Sequence, residues 1–314
     1  MSKKAAVLAY PNSNNLGDFV QSLAAKQELK QKELIQLDRD QLHQYKGEAI
    51  KLIMNGWFME HPTHWPPSNN IDPLFLSFHL NPIAKKGMLD EKGIRYLKKQ
   101  EPIGCRDYHT QDLLSSFGIK TYFSACLTLC LNRSLYTQKK KREGIHVISP
   151  IDRLNPETES PSKELYKRGI QKLKKPFKKK QYAKAMSRLD AFLKVQEEKK
   201  YYSTQLRDIS EFSEVERINE AEKHLKNIAE ARLVITSRIH TALPAVAFNT
   251  PVLFLSDGLE HPNQMSRLKG MEQFFPIINS KELTLWKTLR PKPTKAHLPF
   301  VSKLQEEILQ FLKE

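Results

Sequence analysis

The stretch LVITSRIHTALPAVAFNTPVLFL, residues 233–255, decides the fold. Leu233–Thr236 is a short continuous apolar run, the pattern of a strand buried on both faces. Ser237-Arg238-Ile239-His240 turns the chain into a helix of small residues, Thr241–Phe248. Asn249-Thr250-Pro251 then leads into a second apolar strand, Val252–Leu255. Strand, basic turn, helix and strand make a βαβ unit with parallel strands.

The same alternation runs through the first half of the chain. Residues 5–10 read as a strand, and Asn12–Asp18 as a turn rich in residues that tolerate unusual backbone angles. A helix opens near Asp18 and carries Phe19, Leu23 and Leu29. Further strands are expected at Glu33–Leu37, Ile50–Asn55, Leu74–Phe78, Ile103–Asp107 and Tyr122–Ser124, with a helix over Thr110–Phe117. Lys3 and Lys4 before a short apolar run mimic the start of a secretion signal. An Asn/Pro-rich turn stands where a cleavage site should be, so the run is read as the first buried strand. Lys139–Glu143 reads as a linker, and Ile145–Ser149 opens a second set of strands. The fold class is therefore α/β, with two doubly wound parallel sheets.

Residues 155–228 break the rhythm and read as a polar helical insert. Eleven basic residues cluster between Lys163 and Arg188, and Pro176 is expected to break or kink the helix there. Glu211–Ala229 is a second, more acidic helix. Phe300–Leu312 is a terminal amphipathic helix.

Across 314 residues the net charge is +16. That balance fits nucleic acid, an anionic membrane surface or an anionic substrate as partner. Among the lysines of the insert the aromatics follow no stacking pattern, which disfavours nucleic acid. No apolar run reaches the roughly 18–20 residues of a membrane span. Three cysteines, Cys105, Cys126 and Cys130, form no even disulfide framework and sit beside no histidine cluster. They read as buried thiols in a reducing compartment, so the protein is expected in the cytoplasm, at the inner face of the membrane if it docks there. Phosphate-binding P-loops, the dinucleotide Gly-x-Gly-x-x-Gly and the hydrolase Gly-x-Ser-x-Gly are absent from the sequence.

The residues that carry chemistry fall at predicted strand ends. Arg238 at a helix start can clamp phosphate or carboxylate, or pair with an acid; Ser237 can cap, and His240 can transfer a proton. In the first half, Asn15-Leu16-Gly17-Asp18 offers a close backbone approach at Gly17. Asp18 is either a base for a hydroxyl or a helix cap. Asn55 and Trp57, His79, and Arg106 beside Asp107 complete the candidates. For each, a packing or ion-pair role stands beside the binding role.

Together these segments resemble the polysaccharide pyruvyl transferase family. The likeness rests on Asn15–Asp18, on Ile103–Asp107 with Thr110 and Leu113, and on Ser124–Leu129. Its most specific element is Val234–Leu243, continuing to Pro251. The resemblance implies two Rossmann-like domains arranged as in GT-B glycosyltransferases: residues 1–138 on the acceptor side and 139–295, with the basic insert, on the donor side. A terminal helix, 296–314, would return to the first domain. It implies phosphoenolpyruvate as donor and a sugar diol, on a polysaccharide or a lipid-linked oligosaccharide, as acceptor. No cofactor or metal is expected. His240 and Asp18 would be catalytic. Arg238, Ser237, Thr241, Arg106, Asn15, Gly17, Asn55, Trp57 and His79 would bind substrate. The sequence departs from the family at residues 9–14 and 55–58, where glycine-rich runs are usual. The competing reading is a GT-B-type glycosyltransferase using a nucleotide sugar, with Glu260 on the ribose.

Overall fold

The computed structural model describes residues 4–314 except 32, 59–60, 82–84, 158–164, 261 and 288. The start of the expected helical insert, 158–164, lies outside the described residues. In the first half β1 (Lys4–Ala9) leads into α1 (Leu16–Leu29). Then come β2 (Ile35–Asp38), β3 (Ile50–Ile53), β4 (Ile71–Leu74), α2 (Lys85–Met88), α3 (Glu91–Lys99), β5 (Ile103–Cys105), α4 (Tyr108–Ser115) and β6 (Thr121–Phe123). The second half holds β7 (Glu143–Ile148), α5 (Leu165–Lys194), β8 (Lys200–Ser203), α6 (Glu214–Glu230), β9 (Ala231–Thr236), α7 (Ile239–Ala247), β10 (Val252–Leu255), α8 (Pro262–Met265), β11 (Ile277–Ile278) and α9 (Leu298–Lys313).

Every paired strand runs parallel. One sheet has the order β2-β1-β3-β4 and the other β8-β7-β9-β10-β11. Bridges between Trp57 and His79, and between Phe78 and Cys105, carry the first sheet toward the β5–β6 pair. In each sheet the order reverses at the first strand, between β1 and β3 and between β7 and β9. Loops leaving those strands in opposite directions open a crevice at the carboxyl edge.

The structure corrects the sequence reading at four places. The strand expected at Leu74–Phe78 is β4, which begins earlier and ends at Leu74. Ser77, with φ 57°, breaks the extended run. The polar stretch 155–228 is interrupted by β8, an edge strand of Lys and Tyr whose alternation is masked by the surrounding charge. With β8 in place, α5 and α6 are crossover helices of the second sheet. Pro176 does not end α5, because it sits in an exposed part of the helix, where water can take the carbonyl it frees. Finally, α1 opens at Asn15, whose side chain accepts from the Gly17 N–H, so Asp18 is inside the first turn rather than the cap.

One apolar core runs from the first sheet through α1 into α6, α7 and α9. A smaller one lies on the other face of the second sheet, under Ala185, Leu189, Phe192 and Leu193 of α5. Helix α9 buries Leu304, Ile308 and Phe311 in the first core. Lys51 Nζ donates to the Phe311 carbonyl at 2.6 Å, and the Tyr122 hydroxyl donates to Glu307. The two halves are stitched by an antiparallel bridge between Asn15 and Leu206: the Leu16 N–H donates to the Gln205 carbonyl at 3.0 Å and the Arg207 N–H to that of Asn14 at 2.9 Å.

Candidate active site

Two adjoining cavities, of about 240 and 340 Å³, open where the carboxyl edges of the sheets face each other; Asn15, Asp18 and Trp57 line both. The second half supplies the first cavity's wall from strand ends: Arg153 after β7, Gln205 after β8, and Ser237, Arg238 and His240 after β9. Arg267 and Gln264 come from α8 and the 3₁₀ turn Ser266–Leu268 behind it. Tyr10, Arg39, Asp40 and His61 line the second cavity.

Arg238 occupies the N-cap position of α7 without capping it, and its guanidinium pairs with Asp152 at 2.9 Å. Burial and the neighbouring Arg106 and Arg153 push the Arg267 guanidinium down to about 9; burial and Arg238 push that of Arg153 down to about 10. Both remain charged at neutral pH. Arg106 is fully buried behind the wall, beside Asp107 at 3.5 Å, and its guanidinium nitrogens have no hydrogen-bond partner among the described residues. Four guanidiniums thus repel one another around a small space, with Asp107 and Asp152 as the acids paired to them. Such a site favours a small ligand with more than one negative charge.

Burial pushes the His240 imidazole well below its ordinary range, and Arg106, Arg267 and His79 push it further. It is therefore neutral in the open cleft, and its Nε2 has no hydrogen-bond partner among the described residues. Across the cleft, Asp18 accepts from the Ser13 hydroxyl at 2.6 Å and from Asn15 Nδ2 at 3.3 Å. The two candidates are held together by Gly17. A Cβ on that residue would stand 2.9 Å from His240 Cβ and 2.6 Å from Gln205 Nε2. The close approach that needs glycine is therefore helix against helix, where the sequence alone suggests a backbone approach to a ligand.

A hydrogen-bond relay fixes this contact. His224 Nε2 donates to Thr241 Oγ1 at 3.0 Å. That hydroxyl donates to Gln205 Oε1 at 2.7 Å, and Gln205 Nε2 donates to Asn15 Oδ1 at 2.7 Å. Thr241 is thus buried in the relay and lines neither cavity. The Ser237 hydroxyl is committed to the Ser149 carbonyl at 2.7 Å. Asn55 donates to the Gln21 carbonyl at 2.9 Å behind the wall. His79 is fully buried, its Nδ1 on Asp107 at 2.6 Å; burial and Arg106 hold it neutral, so Nδ1–H is the donor. Trp57 does reach the cleft, with Arg39 and Arg267 each under 6 Å from its rings. Glu260 is exposed and lines neither cavity.

Of the residues expected from sequence, Asn15, Asp18, Trp57, Ser237, Arg238 and His240 meet at the cleft. Arg106, Gly17, Asn55, His79 and Thr241 lie behind its wall. Arg153, Gln205 and Arg267 are not marked in the sequence, since each stands in a loop or a short 3₁₀ turn without a motif. Among the described residues no group of His, Cys, Asp or Glu is arranged to hold a metal ion, and no helix is long and apolar enough to cross a membrane.

No curated protein sequence matches the chain. A solved structure from Klebsiella pneumoniae, of a protein described as functionally uncharacterized, is 13% identical with a TM-score of 0.48, over 88% of this chain and 93% of that one. The sequence model described as polysaccharide pyruvyl transferase matches residues 15–258. That span starts at the cap of α1 and ends just after β10, about three quarters of the chain and the whole switch point of the second sheet; the chain belongs to the polysaccharide pyruvyl transferase family.

Proposed function

We propose that the cleft transfers the pyruvyl group of phosphoenolpyruvate to a sugar diol of a surface polysaccharide or its lipid-linked precursor, forming a cyclic ketal. The observation that carries this reading is the crowding of Arg153, Arg238 and Arg267 around one cavity beside the neutral His240. Phosphoenolpyruvate brings a phosphate and a carboxylate on one small frame, which is the charge distribution these guanidiniums lack. The partition of the sheets supports a GT-B-like division, with residues 1–138 on the acceptor side and 139–295 on the donor side.

In this reading the donor's charges raise the proton affinity of His240, which passes a proton to the methylene carbon. The cationic C2 is attacked by one sugar hydroxyl, whose proton goes to Asp18. Phosphate leaves the same carbon, and the second hydroxyl attacks there to close the ketal, its proton returning to His240. The adjoining cavity, with Trp57, Tyr10 and Asp40, is the acceptor side.

Thermal unfolding with phosphoenolpyruvate or a panel of nucleotide sugars tests the donor. Phosphoenolpyruvate at a hundredfold excess over Kd should raise Tm by roughly 5 °C, and Arg267→Ala should abolish the shift. A shift with a nucleotide sugar and none with phosphoenolpyruvate would assign the cleft to glycosyl transfer instead.

A further inference from the structure

Helix α5 is two different objects along its length. Its C-terminal half buries Ala185, Leu189, Phe192 and Leu193 against the second sheet. From Gly169 to Gln181 no described side chain is buried; Ile170, Gln171 and Lys178 are half-covered and the rest are exposed, so the helix is largely clear of the sheet here. At 1.5 Å per residue this clear segment is roughly 20 Å long. It still carries large apolar groups: Leu173 is 83% exposed and Phe177 64%.

The geometry of a helix fixes where those groups point. Successive residues turn by about 100°. Tyr182, Ala185, Met186, Leu189 and Leu193 mark the sheet-facing side. Leu173, Pro176 and Phe177 fall on the opposite side, away from the sheet, at the i, i+3, i+4 spacing of a single stripe. Lys172, Lys174 and Lys179 flank the stripe and Lys180 lies within it, while Lys175 and Lys178 turn toward the sheet-facing side. No acid occurs from Leu165 to Leu189, and Lys175 pairs with Glu157 at 3.2 Å. A solvated lysine face has no use for an outward Leu and Phe. An anionic lipid surface has a use for both features: apolar side chains enter the acyl boundary and lysines meet the headgroups.

We propose that residues 169–181 of α5 dock the protein on an anionic membrane surface, through Leu173 and Phe177 inserted among lysines. The placement has a consequence for the cleft. As the crossover helix after β7, α5 starts from the carboxyl edge of the second sheet, the edge where Arg153 lines the cavity. A bilayer under the clear segment would hold that edge near lipid-borne substrates. The inference does not depend on which donor the cleft takes.

Vesicle sedimentation tests it. Vesicles of phosphatidylglycerol and phosphatidylcholine at 3:7 should bind the protein, and pure phosphatidylcholine should bind it at least tenfold less tightly. Leu173→Ser with Phe177→Ser should weaken binding to the anionic vesicles by about tenfold or more, with Tm unchanged because neither side chain is buried. Lys174→Glu, Lys179→Glu and Lys180→Glu together should weaken it by about two orders of magnitude. Absence of binding to anionic vesicles overturns the proposal. So does binding that ignores the Leu173/Phe177 change, which would reduce the segment to a charge cluster. Equal or tighter binding to single-stranded RNA at the same salt, lost in the same lysine variant, would assign the surface to nucleic acid and also overturn it.

Discussion

At the scale of single residues, the cleft depends on one glycine and one imidazole. Gly17 has a negative φ and needs no left-handed backbone; it is glycine because His240 and Gln205 fill the space of a Cβ. Gly17→Ala should push α1 from α7, costing about 1–3 kcal/mol in a urea titration. Activity should fall further than stability, since Asp18 moves with the helix. His240 is legible as a proton carrier from its place after β9, but its low proton affinity comes from burial and then from Arg106 and Arg267, which lie far off in sequence. His240→Gln should leave Tm within about 1 °C and lower kcat by roughly 10²–10⁴ with phosphoenolpyruvate, read in a phosphate-release assay.

At the scale of elements, a loop and a terminal helix decide the relation of the halves. The segment after β8 delivers Gln205, which joins α7 to the cap of α1 through Thr241 and Asn15. Because β8 was hidden in a lysine-rich stretch, its loop was invisible as part of the site. Helix α9 was legible from its amphipathic pattern, though its seat was not: Leu304, Ile308 and Phe311 enter the core of the first sheet. Phe311→Ala should remove about 3 kcal/mol from the unfolding free energy and shift the first-half amides most in hydrogen exchange.

At the scale of the whole molecule, three buried histidines make stability depend on pH. Burial holds His224 down at about 4 and His79 and His240 well below their ordinary range of about 6.5. The unfolded chain binds these protons below about pH 6.5, while the folded one takes them up only near pH 4 at His224, near pH 3 at His79 and well below the ordinary range at His240. Stability is therefore intact above that window and falls as the pH drops through it. Each histidine contributes up to about 1.4 kcal/mol per pH unit. Chemical denaturation at pH 7.5, 6 and 5 should show midpoints falling in that order. A bound dianion should flatten the curve by letting His240 keep its proton in the folded state.

The sequence by itself determined the parallel α/β plan, because apolar runs and strand-end turns are local signals set by residues close in the chain. It also placed Arg238, His240 and Asp18 at carboxyl edges, since the order strand, turn, helix fixes that position. Only the tertiary structure decided which of the candidates share a cavity. Pairing order brings the loops after β1 and β3 opposite those after β7 and β9, and it leaves Asn55, His79 and Thr241 behind the wall. Arg153 and Arg267 entered the site for the same reason: a guanidinium in an unmarked loop acquires meaning only when folding crowds it against others, and that crowding is a long-range electrostatic fact with no local pattern.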